Sequence, residues 1–168
     1  MKRRFIILCL LAAYLASVLI GCTNASPLHK VMENYSRIAE GDIPGDIRLT
    51  IYYIDPDILT RYPLSVDDLK TLSDVTIISV DSEELASHWT RLKMLNASVL
   101  RPVKEGTYIN ARICYVFETG DSEKILEVVF TSIYGNAFVN GIEVENHPVL
   151  YELIAPFIPA DGRALIEK

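Results

Sequence analysis

The sequence predicts an α+β fold: a largely antiparallel sheet of about four to five strands with two to three helices packed on one face. Three observations predict it. Residues 108–118 alternate at a period of two, and a second apolar stretch, Lys124 to Ile133, follows the turn-forming Thr119-Gly120-Asp121-Ser122. Asn140-Gly141 stands between Ala137-Phe138-Val139 and Ile142-Glu143-Val144, the strongest short-range signal for a two-residue hairpin. Leu85, Trp89, Leu92 and Leu95 recur at helical spacing behind Asp81-Ser82-Glu83-Glu84, an N-cap with acids at the positive end of the helix dipole.

The elements follow in order. Leu28, Val31, Met32, Tyr35 and Ile38 fall at helical spacing before Gly41, so residues 27–40 read as a short amphipathic helix or as part of a tether. Gly41-Asp42-Ile43-Pro44-Gly45-Asp46 is a loop by composition. Ile47, Leu49, Ile51 and Tyr53 alternate with Arg48, Thr50 and Tyr52 in a first strand ended by Pro56. Ser65-Val66-Asp67-Asp68 has capping-box spacing and starts a helical turn up to Leu72, and the β-branched run Val75 to Val80 is a second strand. One helix then runs from Asp81 towards Leu95. Within 108–118, Ile109, Ala111, Ile113, Tyr115 and Phe117 share one face, and Asn110, Arg112, Cys114 and Val116 the other. Asn146 and Pro148 open a last helix through Val149, Leu150, Leu153 and Ile154, broken near Pro156 and Pro159.

Charge is unevenly spread. Lys2, Arg3 and Arg4 precede an uncharged run from Phe5 to Gly21, and no acid occurs before Glu33. A basic start and 17 uncharged residues fit a secretory signal, the run being short for a bilayer span. Leu19-Ile20-Gly21-Cys22 closes it. These four residues resemble the lipobox of bacterial lipoproteins, in which a small residue precedes a cysteine. The resemblance covers residues 1–22 alone. It implies that Cys22 takes diacylglycerol on its sulfur and becomes the N-terminus after cleavage, with more than one acyl chain giving a stable anchor. The competing reading is a plain signal peptide or an uncleaved anchor.

The organisation expected is a signal peptide at 1–21, a lipidated N-terminus and tether at 22–46, and a single α+β domain at 47–168. Loss of three of the 16 basic residues with the signal leaves 13 against 22 acidic ones, a net charge of −9. Such a domain is repelled by phosphate backbones, which argues against nucleic acid as a partner. With Cys9 removed and Cys22 modified, Cys114 alone remains, so no internal disulfide is available.

Candidate chemistry is sparse. His29, His88 and His147 are the only histidines, and no Cys/His cluster has zinc spacing. His88 borders the buried face of its helix beside Trp89, and reads as a core-edge residue or as a catalytic base. His147 reads as a cap or loop residue. Asp55-Pro56-Asp57 lacks the glycine and terminal glutamate of an EF-hand, and nucleophile-elbow and phosphate-cradling motifs are missing. Cys114 reads as a half-buried strand cysteine, or as a thiol beside Arg112. Tyr52, Tyr53, Tyr62, Tyr108, Tyr115 and Tyr134 cluster near strands, where exposed members would make a binding surface.

The expectation is an extracytoplasmic, membrane-anchored envelope protein with a non-enzymatic binding or accessory domain, no cofactor and no metal site. Its partners would be the membrane through the lipid, and an envelope protein or wall component. The alternative is an extracytoplasmic, hydrolase-like enzyme built from dispersed acids and His88.

Overall fold

Alternation at Ile47, Leu49, Ile51 and Tyr53 puts every second side chain of strand β1 (Ile47–Tyr53) on one buried face, as the sequence predicts. The computed structural model describes residues 27–40, 46–55, 58–104, 106, 108–131 and 135–160. Residues 1–22 with Cys22, the Gly41–Gly45 loop, Pro56-Asp57, Tyr134 and the Trp89 side chain lie outside them.

The other elements are helix α1 (Pro27–Glu40), helix α2 (Val66–Thr71), strand β2 (Thr76–Val80), helices α3 (Ser82–Ala86) and α4 (Trp89–Leu92), strands β3 (Ile113–Thr119), β4 (Lys124–Phe130), β5 (Ala137–Val139) and β6 (Ile142–Val144), and helix α5 (Pro148–Glu152). The strands form one sheet in the order β2-β1-β3-β4-β5-β6, every neighbouring pair antiparallel. The expected four to five strands are thus six among the described residues. The hairpin expected at Asn140-Gly141 supplies two of them, each of three residues.

Local signals act where their chemistry is complete. Ser65 caps α2 in a full capping box: its hydroxyl accepts from Asp68 N–H (3.1 Å), and the Asp68 carboxylate accepts from Ser65 N–H (3.1 Å). Asp81 caps α3 by accepting from Glu84 N–H (2.9 Å). Asn140 and Gly141 have φ of 46° and 80°, as a two-residue hairpin turn requires. The single helix expected from Asp81 towards Leu95 is two short ones. Ser87 Oγ donates to Glu84 O (2.7 Å), and His88 N–H donates to Leu85 O (2.9 Å) rather than one residue further back. A serine hydroxyl competing for a helical carbonyl is the physical reason for the break.

Both faces of the sheet are covered, which corrects the expectation that the helices share one. The larger core joins α1 (Leu28, Met32, Tyr35), the inner side chains of β1, β3 and β4, the α3–α4 residues Leu85 and Leu92, and Leu150 of α5. Two buried tyrosine hydroxyls tie it together, Tyr35 donating to Leu92 O (2.8 Å) and Tyr115 to Leu150 O (3.0 Å). Residues 27–40 are therefore part of the folded unit. On the opposite face α2 and residues 58–64 bury Ile54, Leu64, Leu69, Ala111, Cys114, Val116, Val129 and Phe138. Cys114 is accordingly fully buried, not half-buried.

The alternation expected over 108–118 holds only from Ile113 onward. Ala111 belongs to the second core and Ile113 to the first. The chain bends at Arg112, because Ala111 N–H leaves the ladder to donate to Leu64 O (2.9 Å).

Candidate functional site

That bend builds the most distinctive surface of the domain. Arg112 reaches across to residues 58–60, its Nη1 donating to Ile58 O (3.1 Å) and its Nη2 to Thr60 Oγ1 (3.3 Å). Asn110 Oδ1 accepts from Leu64 N–H (3.1 Å), and Ile58 N–H donates to Asp55 O (3.0 Å). Guanidinium, amide and backbone together hold a loop with no regular structure of its own against 108–112. Inward, Leu64 of the loop and Ala111 of the facing segment join Ile54 in the second core.

Outward the same two segments present apolar side chains to solvent. Leu59 is 93% exposed, Tyr108 95%, Tyr62 68% and Ile109 36%. Arg61 lies over the Tyr62 ring, 5.5 Å from its centroid. Beneath Tyr62 a concavity of about 490 Å³ runs between this loop and α2, with Asp68, Thr71 and Asp74 on its far wall. Large side chains left in water cost solvation free energy unless a partner covers them, so several of them on two joined segments make a candidate contact surface. Of the other tyrosines named from sequence, Tyr53 and Tyr115 are core residues, and Tyr52 is half-buried beneath Lys70. The sequence reading places Ile109 in the core and gives Leu59 no role. An apolar residue between Pro56 and Pro63, outside any periodic pattern, is the signal that marks Leu59.

The remaining candidates have structural surroundings. His88 packs edge-on against Phe157 (4.9 Å between centroids), and among the described residues no carboxylate is hydrogen-bonded to it. His147 is the N-cap of α5, its Nδ1 accepting from Val149 N–H (3.2 Å), while His29 is exposed on α1. Burial pushes the Cys114 thiol up to about 12, so it carries almost no thiolate at neutral pH. Arg112, its sequence neighbour, is committed to the 58–60 loop.

The charge that acts most strongly on Cys114 is that of Lys70, which with Lys124 pairs Glu127 at 2.7 and 3.2 Å. Burial alone would raise the Glu127 carboxyl, but hydrogen bonds and charge from Lys70 and Lys124 outweigh it and hold the group below its ordinary value. For Lys70 burial acts downward, and the bond to Glu127 prevails to hold it above its ordinary value. The triad ties α2 to β4.

A second concavity, of about 330 Å³, lies at the other end of β1, lined by Asp46, Arg48, Asp81 and Glu83. Ser82 Oγ closes it, accepting from Ile47 N–H (2.7 Å) and donating to Ile47 O (2.9 Å). Among the described residues no group of three or more His, Cys, Asp or Glu side chains is placed to hold a metal ion, and no helix is long and apolar enough to cross a membrane. Comparison with protein families, with curated proteins and with solved structures finds no match to this chain.

Proposed function

We propose that this chain is a lipid-anchored protein of a bacterial cell envelope, held outside the cytoplasm by Cys22, whose α+β domain is a non-enzymatic binding or accessory module for another envelope protein or a wall component. The observation that carries the binding reading is the exposure of Leu59, Tyr62, Tyr108 and Ile109 on two adjoining segments that hydrogen bonds from Arg112 and Asn110 join. Exposed aromatic and aliphatic side chains offer apolar contact area, as protein-recognition surfaces do. The basic residues 2–4, the uncharged run and Leu19-Ile20-Gly21-Cys22 support the anchor.

Two measurements test the two halves. Wild-type protein is expected to take up labelled fatty acid and partition into detergent, and Cys22→Ala to do neither. Equal labelling of the variant would end the lipoprotein reading. Photo-crosslinking in intact cells, with the crosslinker at the Leu59 position, is expected to trap a discrete partner that Tyr62→Ser/Tyr108→Ser no longer traps. Sedimentation with isolated cell wall distinguishes a wall component from a protein. Trapping unchanged by the double variant would remove this surface from the proposal.

A further inference from the structure

The two edges of the sheet are finished differently. Alongside β6 runs a short extended stretch, with Val103 N–H donating to Glu143 O (3.0 Å), Glu145 N–H to Arg101 O (2.8 Å), and Pro102 bridging Val144. A proline at that point has no N–H to offer a further strand, so this edge is closed.

At β2 the edge is open. Ile54 N–H donates to Arg112 O (3.1 Å) on the β3 side, whereas Ile47 uses both its backbone groups on Ser82 Oγ on the β2 side. Even-numbered β1 residues thus bond towards β3 and odd-numbered ones towards β2. Leu49, Ile51 and Tyr53 are bonded to their partners Val80, Ile78 and Thr76. By the alternation of an antiparallel ladder, N–H and C=O of Ile77 and Ser79 point away from the sheet. Among the described residues these two have no other partner.

Edges are normally guarded by charge, proline or a bulge. Thr76-Ile77-Ile78-Ser79-Val80 has no charge and no proline, its register with β1 is unbroken, and Ile77 is 57% exposed. The charges stand just beyond its ends. Asp74 precedes it and Asp81, Glu83 and Glu84 follow, all exposed. The bases beside them, Arg61 at one end and Arg48 at the other, are outnumbered by acids lining the same concavities. Two copies pairing antiparallel through β2 would set the Asp74 end of one against the Asp81 end of the other, acid against acid.

We propose that the β2 edge is a β-augmentation site, which takes an extended, uncharged, β-branched segment of a partner protein flanked by basic residues. It rests on the reading of the domain as a binding module, but uses a different surface from that of Tyr62 and Tyr108. The backbone groups of Ile77 and Ser79 supply the added ladder, Ile77 packs on an apolar side chain of the incoming strand, and the flanking acids select basic neighbours and disfavour self-pairing.

The test uses the full-length chain in neutral detergent micelles and a labelled peptide, Lys-Val-Thr-Val-Thr-Val-Lys. Saturable binding is expected, with slowed hydrogen exchange at the Ile77 and Ser79 amides and little change at Ile78, already bonded to β1. A peptide with Glu in place of both Lys should bind at least tenfold more weakly. Ser79→Pro removes an outward N–H without touching the β1 ladder, so it should weaken binding at least tenfold and leave the thermal midpoint near wild type. Should that variant fail to fold, Ile77→Lys, which puts a charge on the edge, serves in its place and should weaken binding equally. Binding indifferent to the edge variant or to the peptide's charge overturns the proposal, as does a peptide-free dimer that the edge variant dissociates. Tyr62→Ser/Tyr108→Ser should leave the titration unchanged, so failure of the edge and failure of the loop surface are told apart.

Discussion

Gly141 sits at φ +80°, with nothing within 4 Å of where a Cβ would stand. The cost of a side chain there is therefore conformational rather than steric. Gly141→Val should destabilise the domain by roughly 1 to 3 kcal/mol, read from denaturant midpoints at unchanged slope. Asn140 adds to the turn, its Oδ1 accepting from Glu127 N–H (2.6 Å) and its N–H donating to Glu127 O (2.8 Å). A full-stability valine variant would mean that β5 and β6 are joined otherwise. Cys114 gives a second test at this scale. In a chain starting at Ser26 it is the sole cysteine, and its buried thiol should be alkylated at pH 8 roughly a hundredfold more slowly in the native state than in denaturant. Comparable rates would contradict its burial under α2.

Helix α2 is a single capped turn and a half, and its hold on the sheet comes from Leu69 beneath it and the Lys70–Glu127 pair beside it. The two groups stabilise over opposite limits of pH. The Glu127 contribution is present above its ordinary 4.5 and is lost as pH falls through the lower folded value. That of Lys70 is present below 10.5 and is lost as pH rises through its higher folded value. Glu127→Gln should cost about 1 kcal/mol at neutral pH, discounted for partial exposure, and flatten the acid limb of the stability profile. An unchanged acid limb would show that other carboxylates control it. Legibility in the sequence followed locality at this scale. Ser65/Asp68, Asp81 and Asn140-Gly141 carry their partners within a few residues, so their patterns identify them. The break at Ser87-His88 needed knowledge of which carbonyl a hydroxyl would take, and the bend at Arg112 depended on Leu64, far away in sequence.

For the molecule as a whole the long-range contacts decide what periodicity alone left open. Residues 27–40 carry a helical stripe that suits a tether as well as a core helix, and only burial of Leu28, Met32 and Tyr35 against the sheet distinguishes them. A chain starting at Ser26 should fold without lipid, metal or reductant. One starting at Asp46, lacking α1, should lose more than about 4 kcal/mol or fail to fold, by exposing the apolar bed of those three side chains. Indifference to the loss of α1 in a melting experiment would return the helix to the tether. The candidate surface was half legible: Tyr62 and Tyr108 are visible as aromatic residues near strands, whereas exposure, which separates them from Tyr53 and Tyr115, is a property of the assembled sheet. That the second face is covered by α2 and an irregular loop leaves no periodic trace, because such a loop is positioned by Arg112 and Asn110 rather than by its own residues.

The incorporation of α1 into the core also sets an altitude. With lipid on Cys22, five residue steps lead to Pro27, where the helix begins, a leash of at most about 18 Å even if drawn straight. The domain would then hover within one small-protein radius of the headgroups, and its surplus of acids would push it outward wherever those are anionic, over a Debye length of about 8 Å. What it met would then have to come to the bilayer surface or belong to it, because such a leash would be too short for the domain to go looking.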